Sequence, residues 1–208
     1  MSHELWLLRH GQSQGNQDRI RQGQRDYPLT ELGASQIQST ADHWREWNLS
    51  FDLIISSPLQ RALSSAEIIA NALGGEVIAD DLWMERNSGN AEGSSLDSNG
   101  PSAAAHHHVP AHEPAFRGGE SRLDLHLRAA AGLRSILTRA AGSYLVVAHG
   151  GILSALIQVV VGLAPSGRGP LPRFAHHNGG YSMLRYDTGR GQWTIWHLNQ
   201  VGHLEPLT

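Results

Sequence analysis

The chain has 208 residues, 16 basic against 19 acidic residues and a net charge of -3, with 40% apolar and 17% charged composition and no cysteine. Length and balance fit one globular core and exclude a collagenous, wholly disordered or generally basic nucleic-acid-binding chain. The missing cysteine excludes disulfides, thiolate metal sites and a cysteine nucleophile, and every basic residue is arginine, a side chain suited to phosphate or carboxylate.

Leu5 to Leu8 is a short apolar run ending at Arg9-His10-Gly11, which predicts a buried strand with a loop at its carboxyl end. Beyond Leu29, the apolar residues Ile37, Ala41, Trp44 and Trp47 recur every three to four positions. A helix is therefore expected from Glu31 to about Asn48, with Thr30 as N-cap. Phe51 to Ile55 reads as a second buried strand. Ser57-Pro58-Leu59-Gln60 reads as a capping box with proline at the first helical position. The helix it opens buries Leu59, Leu63, Ala66, Ile69 or Ala70, and Leu73, and stops at Gly74-Gly75.

Glu76 to Trp83 is expected to be a strand. Asn87 to Gly118 has almost no periodic apolar content, as in a lid, a binding loop or disorder. The helical period resumes through Leu123, Leu127, Ala130, Leu133 and Leu137. A strand from Tyr144 to Ala148, a turn at His149-Gly150-Gly151 and a helix from Ile152 to about Val161 follow. Tyr181 to Tyr186 and Trp193 to Leu198 read as an edge hairpin. Strands alternating with helices predict a single three-layer α/β/α domain over residues 1–208 with a mostly parallel central sheet. No opening run has a signal peptide's layout, and the apolar stretch 152–164 is interrupted by Ser154, Gln158 and Gly162. A soluble, cytoplasmic protein is expected.

Two strands end alike, at Leu7-Leu8-Arg9-His10-Gly11 and Val146-Val147-Ala148-His149-Gly150. Ligands of an open parallel sheet bind beyond the carboxyl ends of its strands, so His10 and His149 should meet there. Arg9 adjoins the first, and Arg61, early in the helix after another strand, can reach the same edge. The glycines should let the backbone approach a ligand and leave amide N–H groups to donate to it. Two histidines, two arginines and exposed amides make a phosphate pocket, without a Walker glycine loop, a carboxylate cluster for Mg²⁺ or a serine elbow.

These residues resemble the histidine phosphatases of the phosphoglycerate mutase type. The resemblance spans nearly the whole chain. It rests on Leu8-Arg9-His10-Gly11-Gln12-Ser13, Pro28-Leu29-Thr30 with Gly33, and Ser56-Ser57-Pro58-Leu59-Gln60-Arg61-Ala62. It continues through Glu85 with Gly89 and Glu92-Gly93, Gly119-Glu120-Ser121, and Val147-Ala148-His149-Gly150-Gly151. It implies that His10 is phosphorylated, that Arg9, Arg61 and His149 cage the phosphoryl group, and that Glu85 is the acid and base. It further implies that Gly11, Asn16, Gln22, Gly23 and Gly150 bind substrate, and that residues 93–118 form a cap insertion over the pocket. Glu92 and Glu120 are expected to orient loops rather than react.

No cofactor and no metal is expected. Contiguous His106-His107-His108 with His112 would alternate direction in extended chain, and adventitious metal binding is the reading favoured there. Gly15, Asn87-Ser88 and Ala91 stand where many relatives carry aromatics, so a looser pocket wall is expected. Arg86, Arg117 and Arg122 could bind a second anionic group, although a solvated surface is the blander reading. The expected partners are a small phosphorylated substrate and at most a second copy of the chain, with neither nucleic acid nor membrane. The reading is thus a phosphomonoester hydrolase working through phosphohistidine. Its alternatives are mutase-type phosphoryl transfer and a non-catalytic phospho-ligand module. Arg21-Gln22-Gly23-Gln24 resembles the phosphatase branch, where mutases usually carry Thr-Gly-Trp.

Overall fold

The computed structural model describes residues 1–96, 109–165 and 172–207. Six strands form one sheet in the order β3-β2-β4-β1-β5-β6. They are β1 (Ser2–Arg9), β2 (Leu53–Ser56), β3 (Val77–Ala79), β4 (Ser143–Ala148), β5 (Tyr181–Asp187) and β6 (Gln192–Gln200). β1 to β4 pair in parallel, while β5 runs antiparallel to β1 and β6, giving the expected edge hairpin on a mostly parallel sheet. The helices are α1 (Gln14–Gln17), α2 (Glu31–Glu46), α3 (Gln60–Leu73), α4 (Arg122–Leu137) and α5 (Gly150–Val160).

The alternation of side chains along each strand divides the core in two. Leu5, Leu7, Ile55, Val146 and Ala148 face α4 and α5, packing with Leu133, Ile136, Ile152 and Leu156. Trp6, Leu8, Ile54, Leu145 and Val147 face α2 and α3, packing with Ile37, Trp44, Ala66 and Ile69. With both faces covered, the central strands can be apolar at every position, and each fully buried Leu or Ile contributes roughly 1.5–3 kcal/mol.

Three local expectations are corrected. Ser57 does not cap α3: Leu59 is the N-cap and makes no side-chain cap bond. The Ser57 hydroxyl accepts the Leu59 N–H at 3.3 Å and meets His149 Nε2 at 2.8 Å, so a tertiary partner takes the oxygen that a local box would use. The buried stripe of α4 runs through Leu125, Ala129, Gly132, Leu133 and Ile136, while Leu127 is exposed. Gly132 sets this register, since a Cβ there would lie 2.9 Å from the buried Trp83 ring. β3 is only three residues long, and Asp80, accepting the Leu82 N–H at 2.9 Å, turns the chain into a single 3₁₀ turn over Asp81–Trp83.

The 93–118 stretch is described only at its ends, 93–96 and 109–118, and His106 to His108 lie outside the described residues. At its far end Ala111 and Phe116 are buried, as a segment too poor in apolar residues for its own core requires.

Two histidines, the buried His176 and the half-buried His203, make stability depend on pH. His176 bonds Ser182 Oγ at 2.9 Å through Nε2, and burial holds its pKa down to about 4. His203 reaches from the C-terminal turn to Thr40 Oγ1 at 2.9 Å and the Gly179 carbonyl at 3.1 Å, and burial again lowers its pKa to about 4. The unfolded chain takes up these protons near pH 6.5 and the folded chain only near 4, so stability is full above about 6.5 and declines between those values. The urea midpoint should be lower at pH 4.5 than at pH 7.5. His203→Gln, which keeps a donor but does not titrate, should show a smaller decline, and an equal decline would contradict this origin.

Candidate active site

Register brings the two histidines together. Arg9 pairs with Ala148 and Ser56 with Val147, so the next residues, His10, His149 and Ser57, leave the sheet side by side at its carboxyl edge. The imidazoles of His10 and His149 lie 5.0 Å apart at 60°. His10 Nδ1 donates to the Gly11 carbonyl at 2.6 Å, which assigns the proton to Nδ1 and leaves Nε2 as the basic nitrogen. Burial, then the charges of Arg9 and Arg61, hold the His10 pKa well below the usual imidazole range, so the ring is neutral at pH 7. His149 is neutral for the same reasons: burial first, then Arg61, His10, Arg9 and Arg128.

Arg9 and Arg61 are pinned by carbonyl oxygens. Arg9 donates to His176 O at 2.6 Å, and Arg61 donates to Arg25 O and Gly23 O, each at 2.9 Å. Burial lowers both guanidinium pKa values against the opposing pull of Glu85. Arg9 Nε, Arg61 Nε and His149 Nδ1 are buried and without a hydrogen-bond partner among the described residues. The other ring nitrogen of His149, Nε2, lies 2.8 Å from Ser57 Oγ. Two guanidinium N–H donors and a third buried ring nitrogen without partners, on three side chains of one cavity wall, leave a deficit that an oxyanion would fill.

That cavity measures about 630 Å³. His10, Arg9, Arg61, Glu85, His149, Gln22, Gly23 and Gly150 line it, whereas Gly11 and Asn16 lie behind the wall. Gly11 has another duty than the one expected: its N–H donates to Ser65 Oγ at 3.2 Å, and a Cβ would overlap the Gly33 carbonyl oxygen. It allows α2 to approach the nucleophile's loop. Asn16 Oδ1 accepts from Ser13 N and Oγ and from Asn178 Nδ2.

Glu85 sits at the N-terminus of α5. Its carboxylate accepts the Gly151 N–H at 2.9 Å and the Arg86 N–H at 2.7 Å, and a Cβ on Gly151 would overlap it. Arg128 holds the segment that presents Glu85, donating to the carbonyls of Leu82 and Met84 at 2.9 and 2.6 Å and to both Glu120 carboxylate oxygens at 2.8 and 2.7 Å. Glu92 accepts the N–H groups of Gln24 and Ser88, each at 2.9 Å. Glu120 and Glu92 therefore orient loops, as expected.

The expected looseness of the wall is not found at Gly15, because the Gln22 side chain lies directly over it and a Cβ would sit 2.5 Å from Gln22 Cγ. Gln22 is fixed by Ser13 Oγ at 2.8 Å. Beside Glu85, Gln24 donates to the Glu85 carbonyl at 3.0 Å, and Asn87 Oδ1 accepts the Gly89 N–H at 2.7 Å, so polar bonds stand where an aromatic was expected to be missed.

Sequence reasoning did not find Asn178. Its Nδ2 lies 3.0 Å from His10 O, 3.1 Å from Gly11 O and 3.1 Å from Asn16 Oδ1, which fixes the loop of the first histidine. The cue was only an Asn-Gly-Gly before a strand, which reads as a turn. Ser57 and His176 were missed because their partners are 92 and 167 residues away.

A family model described as the histidine phosphatase superfamily (branch 1) matches residues 5–199. The chain is 32% identical over 223 aligned positions to the probable phosphoglycerate mutase GpmB of Escherichia fergusonii, covering 98% of this chain and 94% of the relative. The Salmonella choleraesuis protein of the same name matches with the same figures. Bacillus stearothermophilus YhfR superposes with a TM-score of 0.83 at 26% identity over 97% of this chain and 99% of the other. Mycobacterial glucosyl-3-phosphoglycerate phosphatase superposes with 0.78 at 26% over 96% and 99%. Phosphoserine phosphatase from Entamoeba histolytica gives 0.79 at 25% over 97% and 99%.

Proposed function

The chain belongs to branch 1 of the histidine phosphatase superfamily, and on that premise we propose that it is a phosphomonoester hydrolase working through a phosphohistidine at His10 on a small phosphorylated metabolite. The observation that carries this reading is the neutral, buried His10 beside two buried arginine N–H donors that lack acceptors.

In the first step His10 Nε2 attacks phosphorus in line, the P–O ester bond breaks, and the leaving oxygen takes a proton from Glu85. Arg9, Arg61 and His149 bind the equatorial oxygens, whose charge spreads in the loose transition state. The α5 N-terminus at Gly150 adds its partial positive charge. In the second step Glu85, now ionised, takes a proton from water, the water oxygen attacks phosphorus, the N–P bond breaks and inorganic phosphate leaves. Gln22 and Gly23 bound the phosphate side of the cavity. Gly11, Asn16 and Asn178 act behind it as positioning residues.

Residues 1–208 act in this reading as one domain, with the described ends of 93–118 forming part of the wall: Leu96 lines the cavity and the Phe116 ring lies 4.8 Å from the Arg21 guanidinium. Among the described residues no helix is long and apolar enough to cross a membrane, which is compatible with a cytoplasmic site of action.

The names of the curated relatives favour a second reading, in which phosphate passes to another substrate hydroxyl instead of water. Product analysis separates the two: the hydrolase should release one inorganic phosphate per ester consumed, whereas a mutase should yield isomeric ester with little phosphate. Because the arginines and His149 supply the positive charge that Mg²⁺ supplies elsewhere, turnover should survive EDTA, and vanadate should inhibit. Activity lost on chelation and restored by Mg²⁺ or Zn²⁺ would refute this charge assignment.

A further inference from the structure

The loop of His10 is held from behind by a turn that the C-terminal end of the chain in turn holds. Asn178-Gly179-Gly180 leads into β5 and brackets the backbone of the first histidine. The Arg9 N–H donates to Gly180 O at 3.1 Å, and the Gly179 N–H donates to Arg9 O at 3.1 Å and lies 3.3 Å from His10 O. Asn178 Nδ2 adds bonds to His10 O and Gly11 O. Gly11 O is the acceptor that keeps the His10 proton on Nδ1, so this turn fixes the atom that leaves Nε2 basic.

Gly179 is also bonded on its other side. Its carbonyl oxygen accepts from Thr40 Oγ1 of α2 and from His203 Nε2, each at 3.1 Å. Because a carbonyl only accepts, His203 carries its proton on Nε2. His203 belongs to the 3₁₀ turn Gly202–Leu207. Its ring stacks on His43 at 5.3 Å and 9°, its carbonyl accepts from Ser39 Oγ at 2.6 Å, and the next residue, Leu204, is buried. Gly179 has a φ of +71°, and a Cβ there would lie 3.2 Å from Gln36 Cβ and 3.3 Å from the Leu204 side chain. Glycine in the left-handed region therefore lets α2 and the C-terminal turn close on this carbonyl. Packing of Leu204 alone would seat the turn without orienting any one carbonyl. Gly179 is bonded through its N–H to the nucleophile's loop and through its C=O to His203, so a shift of one reaches the other.

We propose that His203 is a positioning residue of the active site: through Gly179 and Asn178 it holds the Gly11 carbonyl, and with it the His10 imidazole, in the orientation that in-line attack requires. His203 does not line the cavity and acts on the reaction only through this backbone. The proposal takes the role of His10 from the hydrolase reading, while the hold on its ring stands on geometry alone.

The test uses the full chain at pH 7.5 with its histidines labelled with ¹⁵N. The His10 ring signals are assigned by their absence from His10→Ala, and in the wild type they should report a proton on Nδ1. In His203→Ala they should move toward those of two exchanging tautomers. The single-turnover rate of phosphorylation by p-nitrophenyl phosphate should fall by about tenfold or more, because nucleophile orientation is lost. The Kd for inorganic phosphate should change less than about threefold, because the arginine cage is untouched. His203→Gln, which returns a donor to Gly179 O, should restore the signals and most of the rate. If His203→Ala does not fold, Thr40→Val, which removes a donor to the same carbonyl at nearly the same volume, carries the same readings. His10 signals that keep their wild-type positions in the folded variant overturn the proposal, as does a loss that His203→Gln does not restore. Signals that move as described in a protein whose wild type releases no phosphate from any ester would instead sustain the positioning role and refute the hydrolase reading.

Discussion

His10→Ala should lower turnover by on the order of 10⁴-fold or more while the protein remains folded, because no second nucleophile stands in its place. His149 does not take over in this account, since its Nε2 is engaged by Ser57. The substitution removes a ring whose Nδ1 bonds the adjacent Gly11 carbonyl. The loop keeps its other ties, Asn178 to His10 O and Gly11 N to Ser65, so folding should change little. Activity near that of the wild type would remove His10 from the mechanism.

The second large effect separates the acid from the cage. Glu85→Gln keeps shape and can still occupy the α5 N-terminus but has no proton to give, so single-turnover phosphorylation by an alkyl phosphate should slow by on the order of 10² to 10⁴. An aryl phosphate, whose leaving group departs without protonation, should be affected far less. Arg61→Ala removes positive charge from the transferring group whatever the leaving group, and both substrates should lose comparable rate. The comparison belongs in the phosphorylation step, since Glu85 is proposed as the base of the second step as well and would mask the difference at steady state. Equal losses for the two esters in Glu85→Gln would end its assignment as general acid. Arg61 also anchors the 23–25 loop through two carbonyls, so its variant needs a folding control.

The sheet was legible because its central strands are apolar runs of the right length, and the two of them that lead into His-Gly located the carboxyl edge. Arg61 and Glu85 were legible from family spacing, and the physical reason for their placement appears only in three dimensions: Arg61 is fixed by carbonyls of a loop 36 and 38 residues earlier. Local signals misled where a distant partner competed. Ser57 looked like a helix cap, but the helix starts after Leu59 and the Ser57 hydroxyl meets His149. The α4 stripe slipped because Trp83, from another element, needs the space above Gly132. Gly11 looked like a ligand contact, and what the structure shows there is a close approach to the Gly33 backbone.

The most direct test of the central claim is rapid acid-free quenching of the enzyme during turnover, in alkali, followed by mass spectrometry of the peptide that contains His10. The account predicts a phosphoryl group on His10 that survives alkali and is lost in acid, forms at least as fast as turnover, and is absent from His10→Ala. Turnover in which no phosphate ever resides on His10, or resides on another residue, would contradict it.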